Sequence, residues 1–229
     1  MAVLKALHSL GDSTFMLLRR PEPALAPHAD EIDHELNDEK NGGAAPAAAE
    51  LPAPEVVHVE PSQQHYFNCP LQLAKLPPRT SGSASDKPSA AAVHRREIRA
   101  GDMLVFCTDG LSDNVFPREV AQLARLVRTD AARVELGLPT EDDPTREEAV
   151  CGALARMLVQ YARAMMGRQD RASPFTKEAW RQMGIKDEKE ASKRGQDALS
   201  WLGGKVDDVT VLVVSVHGEN GREKLRAKL

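Results

Sequence analysis

Residues 101–114 read Gly101-Asp102-Met103-Leu104-Val105-Phe106-Cys107-Thr108-Asp109-Gly110-Leu111-Ser112-Asp113-Asn114, and this stretch indicates the fold most clearly. Its continuous apolar run, residues 104–107, is bounded by turn-forming residues, which is typical of a strand buried on both faces. The run ends at Thr108-Asp109-Gly110, so the strand leaves the core at a carboxylate. A carboxylate fixed at the rim of a sheet is well placed to bind a hard cation, but Asp-Gly is also a common turn. The motif by itself leaves both interpretations open.

Composition limits the possible classes of protein. A chain of 229 residues can form one or two domains with a substantial core. The formal net charge of −4 gives no electrostatic basis for binding nucleic acid or an anionic membrane. Cys69, Cys107 and Cys151 are widely spaced and form no C-x-x-C pair, which predicts reduced thiols in an intracellular protein. No apolar run approaches the ~20 residues that span a bilayer, so we expect no integral membrane segment, and we expect a monomer.

The sequence before this stretch predicts three strands separated by low-complexity segments. Residues 14–18 follow a turn at residues 7–13, and residues 56–59 and 93–99 are two further β-prone runs. Two intervening segments, at about 21–55 and 76–92, are rich in small and polar residues. They contain too little apolar surface to offset the entropy of ordering, so we expect disordered insertions. The aromatic-containing stretch from Gln63 to Pro70 is typical of a packed loop.

The sequence after this stretch predicts mostly helices. Pro117 suits a first helical turn, and apolar residues recur after it at helical spacing. Thr145-Arg146-Glu147-Glu148 has the form of a capping box and predicts a long helix ending near Met166. Ser173-Pro174-Phe175 is expected to begin a loop, and residues 177–202 a charged helix. An acidic turn at residues 203–208 then leads into the clearest strand, at residues 209–216.

Acidic turns occur beside three of the predicted strands, at Asp12, at Asp109 with Asp113, and at Asp207 with Asp208. Carboxylates that converge repel one another unless a cation neutralises them. Oxygen donors without a nearby cysteine or histidine pair favour Mg²⁺ or Mn²⁺ over zinc. Spacing alone does not show whether the turns converge, so the metal-binding and the structural interpretations are equally open at this point.

The ordered set of motifs resembles the metal-dependent type-2C serine/threonine protein phosphatases. The matching elements are Gly11-Asp12-Ser13, the opening stretch, and Asp207-Asp208-Val209-Thr210-Val211. Further similarity, at residues 63–69, 173–175 and 203–205, is to the branch containing mitochondrial and fungal azaserine-resistance phosphatases. The resemblance covers about residues 7–216. It implies an α+β fold, a β-sandwich of two antiparallel sheets flanked by helices, with a metal site at one edge. The branch also implies a mitochondrial location.

The resemblance assigns metal-site positions to five residues. Asp109 and Asp207 match ligands of a binuclear site, and Asp12 and Asp113 match positions that complete a weaker third site. Gly110 matches the glycine that lets the backbone turn behind its ligand. In the family, two Mg²⁺ or Mn²⁺ ions activate a water that attacks phosphoserine or phosphothreonine in a phosphoprotein.

Two nearby residues receive no metal-ligand role. Asp208 is expected to be a neighbour that holds the turn. Because imidazole in general titrates near neutrality, His65 is a candidate general acid, but the family motif gives it no such role, so we expect a loop residue. No side chain of this chain is assigned a catalytic role.

The sequence departs from the family at its front. The family's domain begins with an acidic strand and an Asp-Gly-x-x-Gly turn, which supplies the ligand shared by both metals, and with a phosphate-binding arginine. Neither element precedes Asp12. We therefore expect residues 1–217 to be the C-terminal part of a catalytic domain, incomplete at its N-terminus and with apolar faces left exposed. Residues 218–229 are expected to form a basic tail.

Two functions remain open from the sequence. One is a truncated metal-dependent protein phosphatase that is inactive or weakly active as this chain, which we favour because the remaining metal-site residues are present. The other is a non-catalytic phosphatase-like module that binds phosphoproteins or other partners.

Overall fold

The computed structural model describes residues 2–21, 52–74 and 85–217. Most of the first predicted insertion, part of the second and the whole basic tail lie outside the described residues. Within those ranges the fold combines antiparallel sheets with helices, as the sequence predicted.

A four-stranded antiparallel sheet forms the centre of the fold. Its strands lie in the order β3 (Glu55–Val59), β2 (Thr14–Arg19), β7 (Met103–Cys107) and β8 (Val211–Ser215). The opening apolar run is thus an inner strand, paired on both sides. Leu104 is buried on one face of the sheet, and Met103 and Val105 are buried on the other, which explains why the strand is apolar on both faces.

A second antiparallel pair, β1 (Ala2–Ser9) with β6 (Ala92–Ile98), packs on one face of the central sheet. Phe15, Leu17 and Leu104 are buried in this interface, with Ile98 of β6 against them. The predicted turn at residues 7–13 is shorter than expected, because β1 extends to Ser9.

The helices are α1 (Asp109–Ser112), α2 (Pro117–Leu126), α3 (Asp130–Glu135), α4 (Arg146–Met166), α5 (Pro174–Gln182), α6 (Glu188–Arg194) and α7 (Gln196–Leu199). The main core lies between the central sheet and helices α2 and α4. Its sheet side is formed by Met16, Leu18, Met103, Val105 and Val213, and its helix side by Val120, Ala124, Leu154 and Leu158. No helix within the described ranges is long and apolar enough to cross a membrane.

Three local predictions were wrong for identifiable reasons. Thr145 forms no capping box, because its hydroxyl donates to Asp143 Oδ1 at 2.6 Å. Residues 173–175 begin α5 and not a loop, because Ser173 Oγ accepts from the Thr176 amide at 3.1 Å. The helix predicted over residues 177–202 is broken into three, with glycines of positive φ at Gly184 and Gly195.

The segments flanking the second insertion are tied together. Residues 63–70 form a short hairpin, β4 (Gln64–Tyr66) with β5 (Cys69–Pro70), where a packed loop was expected. The backbone amide of Asp86 donates to Gln72 O at 2.9 Å, and a 3₁₀ helix follows at Pro88–Ala90. Part of the range expected to be disordered is therefore held by hydrogen bonds.

Candidate metal centre

The site is organised around Asp109, the first residue of α1. The chain leaves β7 at Cys107 and turns at Thr108, which caps α1 with an extended backbone. This abrupt change from strand to helix follows from the sequence, because the apolar run ends and the Asp-Gly pair allows a tight turn. The Asp109 side chain is half-buried at the rim of the sheet.

The Asp109 turn packs directly against the Asp207 turn. Thr108 Oγ1 donates to Asp208 O at 2.9 Å, and the Thr210 amide donates to Thr108 Oγ1 at 3.0 Å. A Cβ on Gly110 would lie 2.4 Å from Asp208 O, so only glycine permits this approach. The backbone of Asp208 thus joins the two turns, in agreement with its expected role.

The side chain of Asn114 also holds the same two turns together through hydrogen bonds. Its side chain is fully buried and donates to Gly110 O at 2.9 Å and to Lys205 O at 2.8 Å. It also accepts from the Lys205 amide at 2.9 Å. Because a buried amide satisfies its donors and its acceptor here, the two loops are held in one arrangement.

The ammonium of Lys205 lies among three carboxylates. Its Nζ is 2.8 Å from Asp109 Oδ2, 2.8 Å from Asp113 Oδ2 and 3.2 Å from Asp207 Oδ2. It also lies 5.1 Å from the centre of the Phe175 ring. Burial alone would lower the pKa of Lys205, but the hydrogen bonds to Asp109 and Asp113 outweigh it and raise that pKa. A cation therefore occupies the centre of the cluster.

Burial, neighbouring charges and hydrogen bonds shift the pKa values of the other three aspartates. Burial, followed by the charge of Asp109, raises the pKa of Asp12, which lies in the turn between β1 and β2. Burial also raises the pKa of Asp113 to about 6, although Lys205 donates to it. In contrast, the Asp208 amide and Lys205 lower the pKa of Asp207. The structure thus brings together the four aspartates that the sequence singled out.

The donor set fits a hard divalent cation. All four convergent side chains offer oxygen, and burial, with the charge of Asp109 adding to it, raises the pKa of Asp12 and of Asp113. The nearby thiol offers no competing ligand, since burial raises the pKa of Cys107 to about 12. Such a set suits Mg²⁺ or Mn²⁺ better than zinc. The ammonium of Lys205 already places one positive charge among these carboxylates.

A groove extends from the cluster along the β4–β5 hairpin and α5. Asp12 and Asp113 line one end, and His65 and Arg181 lie further along it. His65 Nε2 is 3.0 Å from Asp86 Oδ2, and Arg181 forms a bidentate pair with Glu178. His65 thus has a partner in Asp86, but it lies in strand β4 and not in a loop, so the expectation of a loop residue was wrong.

Sequence reasoning missed Lys205 and Asn114 as parts of the site. Asn114 is the last residue of the opening stretch, and Lys205 lies within the acidic turn at residues 203–208. These contacts join segments that are 91 to 96 residues apart in sequence, so the contacts could not be predicted from neighbouring residues.

Comparisons with known proteins agree with the fold and with the predicted family. No protein-family model matches the sequence. The chain is 30% identical over 160 residues to a protein phosphatase PTC7 homolog from Danio rerio, and the aligned region covers 69% of this chain and 43% of that protein. It is 30% identical over 161 residues to the Homo sapiens protein of the same name, covering 69% of this chain and 42% of the relative.

Plant relatives and a solved structure extend this similarity. A probable protein phosphatase 2C 80 from Arabidopsis thaliana is 30% identical over 157 residues, with 69% of this chain and 29% of the relative covered. The X-ray structure of the photosystem II phosphatase PBCP matches with a TM-score of 0.54 at 21% identity. That match covers 92% of this chain and 58% of the solved chain, and it supports the fold.

These findings identify the chain as a member of the type-2C protein phosphatase family. Within that family, relatives named as PTC7 homologs match it over about two thirds of its residues. The chain spans less than half the length of those relatives.

Proposed function

We propose that this chain carries one side of the active site of a Mg²⁺- or Mn²⁺-dependent protein serine/threonine phosphatase. Residues 1–217 would form part of the catalytic domain, and phosphoserine and phosphothreonine in proteins would be the substrates. The observation that carries the proposal is the convergence of four aspartates from three separate turns around the Lys205 ammonium.

Each aspartate has a role that follows from its place. Asp109 and Asp207 would hold the metal pair, since the contacts of Thr108 and Asn114 fix their turns relative to each other. Asp12 and Asp113 would hold a further ion beside Asp109. Ions bound there would supply positive charge for the phosphate and lower the pKa of a water, as divalent cations do in hydrolytic sites.

Lys205 would act as the resident cation of the metal-free chain. Its ammonium balances Asp109 and Asp113, so the turns keep their arrangement without bound metal. A divalent cation and Lys205 would compete for the same oxygens. The groove beside Asp12 and Asp113 is open to solvent and is the place where a phosphorylated segment would bind.

The experiment measures hydrolysis of a phosphothreonine peptide with Mn²⁺, using protein from the longest reading frame that contains this sequence. We expect activity in the unsubstituted protein and a loss of at least 100-fold in Asp109→Asn. Asp170→Asn is the matched control, because Asp170 is exposed and pairs with Arg168. Full activity in Asp109→Asn would overturn the proposal.

A non-catalytic phosphatase-like module is the second candidate. Its supporting observation is that a lysine already balances the carboxylates. It predicts that the phosphopeptide binds but is not hydrolysed, which the same assay combined with a binding measurement distinguishes.

We also propose a mitochondrial location, which rests on the resemblance to the mitochondrial branch. Imaging of the full reading frame fused to a fluorescent protein tests it, and a uniform cytosolic signal would contradict it.

A further inference from the structure

A second group of potential ligands lies between the two sheets, and its Glu60 also lines the groove that contains Asp12 and Asp113. His58 is on β3, Glu60 directly follows β3, and His94 is on the facing strand β6. The rings of both histidines lie against Phe15, at centroid distances of 5.1 and 6.3 Å. The proposed phosphatase chemistry uses none of these residues.

The three side chains present their ligand atoms to one another. Glu60 Oε2 lies 3.2 Å from His58 Nε2, and Glu60 Oε1 lies 2.6 Å from His94 Nε2. All three ligand atoms lie within 4.8 Å of one another. The Glu60 side chain is 1% exposed, and the two histidines are 15% and 18% exposed. The carboxylate is thus buried, while the imidazoles reach the surface.

The contact between His94 and Glu60 is not a well-formed hydrogen bond. Nε2 of His94 is buried and has no hydrogen-bond partner, although Glu60 Oε1 is only 2.6 Å away. Two ligands at about 2.0–2.1 Å from one tetrahedral zinc lie roughly 3.3 Å apart. The 3.2 Å between His58 Nε2 and Glu60 Oε2 fits this spacing, and His94 Nε2 would have to move several tenths of an ångström away from Glu60 Oε1, roughly to the same spacing. Leaving a buried imidazole nitrogen unpaired is otherwise costly.

We propose that His58, Glu60 and His94 bind a zinc ion that joins the β1–β6 pair to the central sheet. Two imidazole nitrogens and one carboxylate form a zinc donor set that leaves the fourth position for water. The ion would also compensate the buried charge of Glu60. Because the ligands come from β3, its following residue and β6, binding would hold the two sheets together.

The neighbouring contacts show what zinc must displace. Arg96 Nη2 lies 3.4 Å from His58 Nδ1, and a guanidinium can only donate, so Nδ1 accepts and Nε2 carries the proton. Zinc on Nε2 requires the proton to be on Nδ1, where it would face Arg96. Arg96 must then turn away. Ser9 Oγ donates to Glu60 Oε1 at 3.2 Å and can keep that contact.

The test uses the whole chain, freed of metal by a chelator and titrated with Co²⁺, whose visible absorption reports histidine ligation. We expect ligand-field bands that saturate at one Co²⁺ per chain and that disappear when Zn²⁺ displaces this ion. His94→Gln and Glu60→Gln should each lower the affinity at least about 100-fold, because even outer partners of ligands change affinity 10–100-fold. His65→Gln is the matched control, since His65 pairs with Asp86 in an outer loop.

Two further variants separate this site from the acidic turns and from misfolding. Asp109→Asn should keep the bands, and Arg96→Gln should strengthen binding, a gain that misfolding cannot produce. Zn²⁺ should also raise the melting temperature of the unsubstituted chain but not of His94→Gln. The proposal is overturned if the unsubstituted chain gives no bands, or if the bands survive in His94→Gln and disappear in Asp109→Asn.

Discussion

Nζ of Lys205 lies 2.8 Å from Oδ2 of Asp109, so an ammonium from one turn sits at the carboxylate that ends the central strand β7. The same ammonium contacts Asp113 and Asp207. The ammonium reduces the repulsion between the aspartates, which stabilises the site without bound metal. A divalent cation bound here would compete with Lys205 for the same oxygens.

Removing this competitor has two expected effects. Lys205→Gln should raise the affinity for Mn²⁺ about tenfold, since binding no longer displaces the ammonium. It should also lower the free energy of unfolding of the metal-free chain by about 1–3 kcal/mol, because a charged hydrogen-bonding partner is lost. Calorimetric titration and urea unfolding measure the two effects. Lys186→Gln is the control at an exposed lysine, and equal Mn²⁺ affinity in both variants would contradict the competition.

Gly110 should tolerate no side chain. Gly110→Ala places a Cβ 2.4 Å from Asp208 O and must push the two acidic turns apart. We expect a loss of about 1–3 kcal/mol in unfolding free energy and weaker Mn²⁺ binding. The control is Gly152→Ala within α4, where the nearest atom to the new Cβ is Arg156 Nη1 at 3.5 Å. That variant should gain up to about 1 kcal/mol, and a matching loss in both would argue against the close approach.

The amide of Asn114 should be needed to hold the turns together. Asn114→Ala leaves the buried carbonyls of Gly110 and Lys205 without this donor, which costs about 2–4 kcal/mol. Thermal or urea unfolding measures the loss. Asn68→Gly, at an exposed turn with φ of 57°, should stay within about 0.5 kcal/mol. Unchanged stability in Asn114→Ala would show that the turns are held by other contacts.

Glu147 should make stability depend on acidity. Hydrogen bonds from Arg128, opposed by burial, lower the pKa of Glu147 from 4.5 to about 2. Because the folded pKa is depressed, the stabilisation is complete above pH 4.5 and is lost as the pH falls toward 2. The difference corresponds to about 3 kcal/mol.

Glu147→Gln should therefore lower the unfolding free energy at pH 7 by about 2–4 kcal/mol and flatten its pH dependence between 4.5 and 2. Glu178→Gln is the control, since Glu178 is 40% exposed and forms an i,i+3 pair with Arg181. It should cost less than about 1 kcal/mol. An identical acid profile in Glu147→Gln and the unsubstituted chain would rule out this role for Glu147.

The sequence predicted the elements whose signals are local. The apolar runs of β7 and β8 and the helical spacing in α2 and α4 identified the main core, because each pattern reflects burial of that segment. In contrast, β1 pairs with β6, about 90 residues away, and part of it was assigned to a turn. The break at Gly195 was missed because the charged residues around it are good helix formers.

The sequence predicted which aspartates belong to the candidate site, but it did not predict the contacts between them and other residues. The motifs identified all four aspartates because each stands in a distinctive acidic turn. Lys205 and the histidine site could not be found in this way. A lysine beside an acidic turn is ordinary in sequence, and His58 and His94 come together only when β6 packs against the central sheet.

Calorimetric titration of this chain with Mn²⁺ measures whether Asp109 belongs to a cation site. A His94→Gln background keeps the histidine site from contributing. We expect saturable binding that Asp109→Asn weakens at least about tenfold, whereas Asp170→Asn leaves it unchanged. Equal isotherms for the unsubstituted Asp109 chain and Asp109→Asn, or no binding in either, would contradict it.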